Sequence, residues 1–365
     1  MKKDISNKRW LENHNRHLFR LKVRHSLIVK RKRKRLLGLN EDARRMLRLM
    51  DRFKSYTKVF APQNFSLIEN PIETLKFISR LEDCFKTKTK VFVRLRNVNH
   101  IGDGALVVLL SSMIKFRSNN IDFNGDYPKN ANANKKLRDS GFFDELYEKR
   151  NFTVKDTYDI STRSIFTHAS KLVDSKLSSN LIAQVSKKIW HEERRCLGVQ
   201  RAFIELMQNT NNHASTTQRG EHHWWTTVSY DYERQVACFA FLDYGVGIIK
   251  SITTDPRSKL HKVVNLFKNV FLHKSDAELL ELLLKGEVHK AWRAHSSTHK
   301  YFRGKGLPGI YDACKNNHLS NLVVITNKAM AEVAKDRYLH LNGNFSGTFV
   351  YWEVKQNNTN LPLCS

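Results

Sequence analysis

The amino-acid sequence predicts a mixed α/β protein that begins with a basic helical extension. Three observations carry that expectation. Strand and helix patterns alternate between residues 72 and 141, as in a small α/β domain. Further along, an apolar strand, Phe239 to Leu242, runs directly into Asp243-Tyr244-Gly245-Val246-Gly247 and has helical patterns before and after it. The first 60 residues hold 20 Lys and Arg against five Asp and Glu, a local excess of +15.

Residues 1–55 read as basic helices, because Leu36, Leu37, Leu39, Met46, Leu47, Leu49 and Met50 recur at near-helical spacing between arginines. Pro62 and Pro71 break the stretch that follows. Residues 72–86 then read as an amphipathic helix, Val91 to Leu95 as a strand and Ala105 to Phe116 as a strongly apolar helix. A short strand, Ile121 to Phe123, precedes a turn at Asn124-Gly125, and a helix over Asn134 to Ser140 stops at Gly141, a usual residue just past a helix end. The domain expectation is therefore a basic extension over 1–55, a small α/β domain over 56–150 and a linker over 151–174. A second α/β domain, a mixed sheet covered by helices, spans 175–357, and 358–365 form a tail. The second domain opens on the helix Ser175 to Trp190, with Leu177, Leu181, Ile182, Val185, Ile189 and Trp190 at mostly helical spacing.

The formal net charge is +28, which favours a polyanionic partner: a nucleic acid, an acidic protein or an anionic membrane surface. The densest run, Lys30-Arg31-Lys32-Arg33-Lys34-Arg35, precedes a helical pattern and not low complexity, so contact with phosphate backbone is favoured over a solvated tail. No base-reading motif is visible. A hydrophobic content of 41% supports real cores. No uncharged apolar stretch of about 18 residues is present, so no transmembrane helix is expected. No apolar segment with a cleavage site follows the basic start, so no secretory signal is expected either. The cysteines Cys84, Cys196, Cys238, Cys314 and Cys364 are scattered without metal-ligand spacing, which points to buried thiols in a reducing cytoplasm.

Four separated motifs carry the chemistry. In Glu205-Leu206-Met207-Gln208-Asn209-Thr210-Asn211-Asn212-His213, the residues Glu205, Asn209 and His213 lie at i, i+4 and i+8 and project from one helix face. Phe203, Ile204 and Met207 fall opposite and suit packing on a sheet. The second motif is Asp243-x-Gly245-x-Gly247 at the end of the apolar strand, where the glycines permit a tight turn and close backbone approach to a ligand. In the third, Arg303-Gly304-Lys305-Gly306-Leu307-Pro308-Gly309-Ile310, the glycines open a helix whose N-terminal N–H groups suit phosphate, with Pro308 tolerated in the first turn. It lacks the Gly-Lys-[Ser/Thr] of a Walker A loop and the spacing of a Rossmann fingerprint. The fourth, Gly347-Thr348, enters the last strand of the domain.

In this order the four motifs resemble the N, G1 and G2 boxes and the final Gly-Thr of the GHKL (Bergerat-fold) ATPase family, which includes gyrase, MutL and histidine kinases. The resemblance covers about residues 190–355. It implies that Asn209 ligates Mg²⁺ bridging the phosphates of ATP, a single protein oxygen being sufficient for an ion that keeps its waters. Glu205 then orients or deprotonates the attacking water, with His213 on the same nucleotide-facing surface. Asp243 accepts a hydrogen bond from the adenine amine, which an acceptor-only carboxylate distinguishes from the carbonyl of guanine. Gly245, Gly247, Gly304, Lys305, Gly306, Leu307 and Gly309 approach the nucleotide, and Thr348 reaches the adenine or its water. Residues 249–303 correspond to the lid over the phosphates and include an amphipathic helical pattern from Asp276 to His295. The activity implied is Mg²⁺-dependent ATP hydrolysis used as a conformational switch. The alternatives are a protein kinase, of the anti-sigma serine type or histidine-kinase-like, and a module that binds ATP without turnover.

Val91 to Leu146 resembles, more weakly, a STAS domain. The family's phosphoacceptor serine falls on Asp103, which cannot accept phosphate from a serine kinase but suits a helix N-terminus as a cap. The resemblance then implies a scaffold role or a dimerisation role, the latter as a homodimer.

Overall fold

The computed structural model describes residues 2–36, 53–147, 165–168, 173–213, 224–254, 273–288, 290, 306–359 and 361–362. The protein is mixed α/β, with both parallel and antiparallel sheets. It divides into two compact units, Met1–Tyr56 and Thr57–Ser365. In the first, the basic extension is one helix, α1 (Lys2–Leu36), and residues 13–31 are exposed along its length. The apolar positions expected to continue the helical pattern, Leu37 to Met50, lie outside the described residues.

The second unit opens with β1 (Thr57–Phe60), β2 (Asn64–Phe65), α2 (Pro71–Lys86), β3 (Val91–Arg94), β4 (His100–Ile101), α3 (Asp103–Ser118), β5 (Phe123–Gly125), α4 (Ala131–Asp139) and α5 (Phe142–Tyr147). Strand β3 pairs in parallel with β1 and β5, and β2 with β4. Asn124-Gly125 is therefore strand and not the expected turn, because Val93 and Gly125 pair across it. Asn130 caps α4, its side chain accepting from the Ala133 N–H at 3.0 Å. The cap of α3 is Gly102, with no side-chain bond, so Asp103 is not the cap the sequence suggests. It is the first residue of the helix, where its charge suits the dipole, and it pairs with Lys136 Nζ at 3.3 Å.

The remaining elements build one larger sheet. They are β6 (Ile165–His168), α6 (Ser175–Trp190), β7 (Arg194–Arg195), α7 (Leu197–His213), β8 (Trp224–Asp231), β9 (Val236–Asp243), α8 (Ile248–Thr254), α9 (Asp276–Leu284), α10 (Gly306–Lys315), β10 (Ser320–Glu332), β11 (Arg337–Lys355) and β12 (Leu361–Pro362). The sheet order is β10-β11-β9-β8-β6. Every described pairing in it is antiparallel, not mixed as expected, because tight connections fold β8 onto β9 and β10 onto β11. Two boundaries also differ from expectation. Residues 165–168, assigned to a linker, form the edge strand beside β8. The tail is bound: β12 pairs with β7, and the Thr359 N–H donates to the Asn317 carbonyl at 2.8 Å.

Both faces of this sheet are buried, and the period-two alternation of β9 shows how. Ala237, Phe239 and Phe241 join a core with α6, α7, α9 and α10, whereas Val236, Cys238, Ala240 and Leu242 join a second core with α2 and α3. The small α/β segment therefore covers the back of the sheet and shares its core. The first half of α3 is apolar all round for the same reason, Ala105 to Leu110 being buried without interruption.

Candidate functional site

The Asp243-x-Gly-x-Gly turn begins where β9 leaves the sheet. Asp243 Oδ1 accepts from the Gly245 N–H at 2.9 Å, closing a local turn. It also accepts from the Thr348 N–H at 3.2 Å, across 105 residues of sequence. Asp243 and Thr348 are directly opposed in the β9–β11 register. The residue keeps some surface, but its carboxyl group is lodged in the fold. Desolvation pushes it up to about 6, while the Gly245 N–H, both donors of Thr348 and the Thr210 hydroxyl pull the other way. Thr210 brings in α7, the helix of Glu205 and Asn209.

The glycines are used where the backbone crowds. Gly347 has φ +131° and lies so close to the carbonyl oxygen of Asp243 that a Cβ has no room. Gly247 has φ +86°, and a Cβ there would strike the Asn327 side chain. Gly306, at the start of α10, lies against the Asn209 amide, 3.1 Å separating a built Cβ from Asn209 Cγ. The first, second and fourth motifs thus meet at Asp243, and the first and third meet at Asn209.

Other expected residues are placed less directly. Phe203 and Met207 are buried against the sheet as expected, while Ile204 is only half-buried. Glu205 and Asn209 are half-buried, one turn apart on α7. His213 ends that helix. Leu307 is buried and anchors α10 in the core, and Gly309 faces Arg201 of α7, with 3.7 Å to Nε. Gly304 and Lys305 lie outside the described residues, as do Arg303 and most of the lid, 255–272 and 291–300. The helix expected over Asp276 to His295 is interrupted by a turn at Lys285-Gly286, with residues 287, 288 and 290 helical again and 291–295 outside the described residues. Its first part is α9, capped at its start by Ser275 and Glu278, and it stops before Gly286, whose φ of +71° ends the turn. Leu280, Leu283 and Leu284 fix it in the sheet-facing core, so this part of the segment is anchored.

Sequence reasoning missed Thr210, Thr326 and Asn327. The Thr326 hydroxyl donates to the Gly347 carbonyl at 2.9 Å and accepts from the Ile248 N–H at 2.8 Å. Asn327, in the left-handed region at φ 49°, donates to the Val246 carbonyl at 2.9 Å and accepts from the Lys250 N–H at 3.1 Å. Together they brace the glycine turn and the start of α8. The available signal was a polar pair interrupting the apolar run Leu322 to Ile325.

No protein-family model, no curated protein and no solved structure matches this chain.

Proposed function

We propose that the chain is a Mg²⁺-dependent ATP-binding protein of the GHKL type, with a Bergerat-fold sheet backed by a STAS-like layer. In this reading it hydrolyses ATP as a conformational switch. The observation that carries the reading is the meeting of all four motifs around Asp243 and Asn209. The residues present fit the ligand. Asp243, ionised above about 6, offers an acceptor to the adenine amine beside backbone that glycine alone lets close. The half-buried Asn209 offers one hard oxygen next to the N-terminus of α10, whose N–H groups would suit a phosphate. Bound Mg²⁺ would neutralise charge on the phosphates. Glu205, one turn before Asn209, holds or takes the proton of the attacking water. The exposed α1 contributes charge for a polyanionic partner.

Phosphate release from ATP and Mg²⁺ tests the reading, measured alone and with DNA, RNA or candidate proteins. The expected result is turnover that Glu205→Ala abolishes while nucleotide still binds. Turnover at the same rate in Glu205→Ala would remove Glu205 from the chemistry.

A further inference from the structure

Tyr244, which lies between Asp243 and Gly245, packs against the core on the back of the sheet. Helix α3 crosses that face, and Ser111 on it is buried, with 2% of its surface exposed. The Ser111 hydroxyl donates to the Val108 carbonyl at 3.0 Å and lies 2.6 Å from the Tyr244 hydroxyl. With its own proton on Val108, Ser111 Oγ is the acceptor and the Tyr244 phenol the donor. One turn on, Lys115 places its ammonium 4.5 Å from the Phe85 ring centroid and 5.5 Å from that of Tyr244. Glu82 of α2 feels the Lys115 charge, although burial dominates and raises its carboxyl above the usual range.

Tyr244 is therefore held at its hydroxyl and over its ring by the segment that covers the back of the sheet. Its backbone is closely approached as well: a Cβ built at Gly347 would lie 3.3 Å from Tyr244 Cα and collide with the carbonyl of Asp243. Tyr244 is the chain neighbour of Asp243, so its ring and the carboxylate share the turn that leaves β9. If the ring shifts, the turn shifts with it, and the acceptor moves relative to anything seated beside it.

We propose that Ser111 and Lys115 are positioning residues for Asp243, acting through Tyr244, so that the STAS-like layer is a working part of the adenine-reading site. The proposal rests on the nucleotide reading above and extends it to a segment that carries none of the four motifs. Its signature is selective, because a carboxylate that is out of place loses the exocyclic amine of adenine but not the phosphates.

The test is calorimetric titration of the full chain and of Ser111→Ala, Tyr244→Phe and the double variant. Each is titrated with ATP and with purine riboside triphosphate, which lacks the 6-amino group. Both single substitutions should weaken ATP roughly 3- to 10-fold, the worth of one hydrogen bond. Purine riboside triphosphate should bind as in the wild type, and the double variant should be no weaker than the worse single one. Lys115→Met should lower the same ATP preference without touching either hydroxyl. Equal loss for both nucleotides would reduce these residues to structural support and overturn the proposal, as would unchanged ATP affinity in both single variants. A wild-type chain that binds neither nucleotide would instead remove the nucleotide reading itself.

Discussion

Gly306 and Asn209 touch: the bare Cα at the start of α10 lies against the side-chain amide one turn before the end of α7. A methyl group at 306 would have to displace that amide, and overpacking of this kind costs about 1–3 kcal/mol. Gly306→Ala should weaken Mg²⁺-nucleotide binding by about tenfold or more. Gly309→Ala, three residues on, meets only Arg201 Nε at 3.7 Å and should stabilise the helix by up to about 1 kcal/mol. Thermal unfolding and calorimetry of the two variants check the contrast, and equal behaviour would contradict it.

The Asp243 carboxyl predicts a pH dependence with two signs. Its folded value of about 6 lies above its ordinary 3.8, so the folded state holds the proton more tightly. Its contribution to stability is fully present below about pH 4 and is lost as pH rises through about 6. Nucleotide binding runs the other way, since only the carboxylate accepts from the adenine amine. ATP affinity should fall about tenfold per pH unit below about 6. Asp243→Asn should flatten that profile. It should also be at least as stable as wild type at pH 7, because it removes an ionised group whose burial opposes folding. Lower stability in the variant at pH 7 would contradict the sign.

The two cores of the sheet predict that the motif-bearing segment does not stand alone. A fragment lacking residues 57–147 would expose Leu242, Ala240, Val323, Ile325 and Phe349 to water. It should be insoluble or aggregate, whereas a soluble fragment with cooperative unfolding would contradict the shared core.

That coupling was partly written in the residues. The uninterrupted apolar run Val236 to Leu242 is the pattern of a strand buried on both faces, and Ala105 to Leu110 that of a helix without a solvent side. Periodicity placed both elements, together with α2, α6 and the turn after β9. What it could not supply was the partner of each face, because pattern records burial and not what does the burying. Four-residue β6 escaped notice because it is too short for alternation to register, and Asn124-Gly125 misled because a turn-forming pair also fits a strand end. Thr326 and Asn327 act only across chain-distant contacts, which no local motif encodes.

The arm predicts a salt-dependent interaction. Arg16, Arg20 and Arg24 recur at i, i+4 and i+8 along exposed α1, ahead of the run Lys30 to Arg35. Mixed-sequence DNA or RNA should bind with an affinity that falls linearly in log salt, and alanine at Lys30 to Arg35 should flatten the slope uniformly across sequences. ATP affinity should not change. Absence of binding at low salt would contradict a nucleic-acid role and leave an acidic protein or an anionic membrane as the partner.

The central claim is that Asp243 reads adenine in a Mg²⁺-nucleotide site built with Asn209. Calorimetric titration of ATP with Mg²⁺ at pH 7.5, on wild type beside Asp243→Asn and Asn209→Ala, tests it most directly. The wild type should bind. Asp243→Asn should lose roughly 30- to 1000-fold in affinity, since an amide can present a donor to the adenine amine, and Asn209→Ala should lose the Mg²⁺-dependent part. Affinity close to wild type in Asp243→Asn, in a chain that remains folded, would contradict the account.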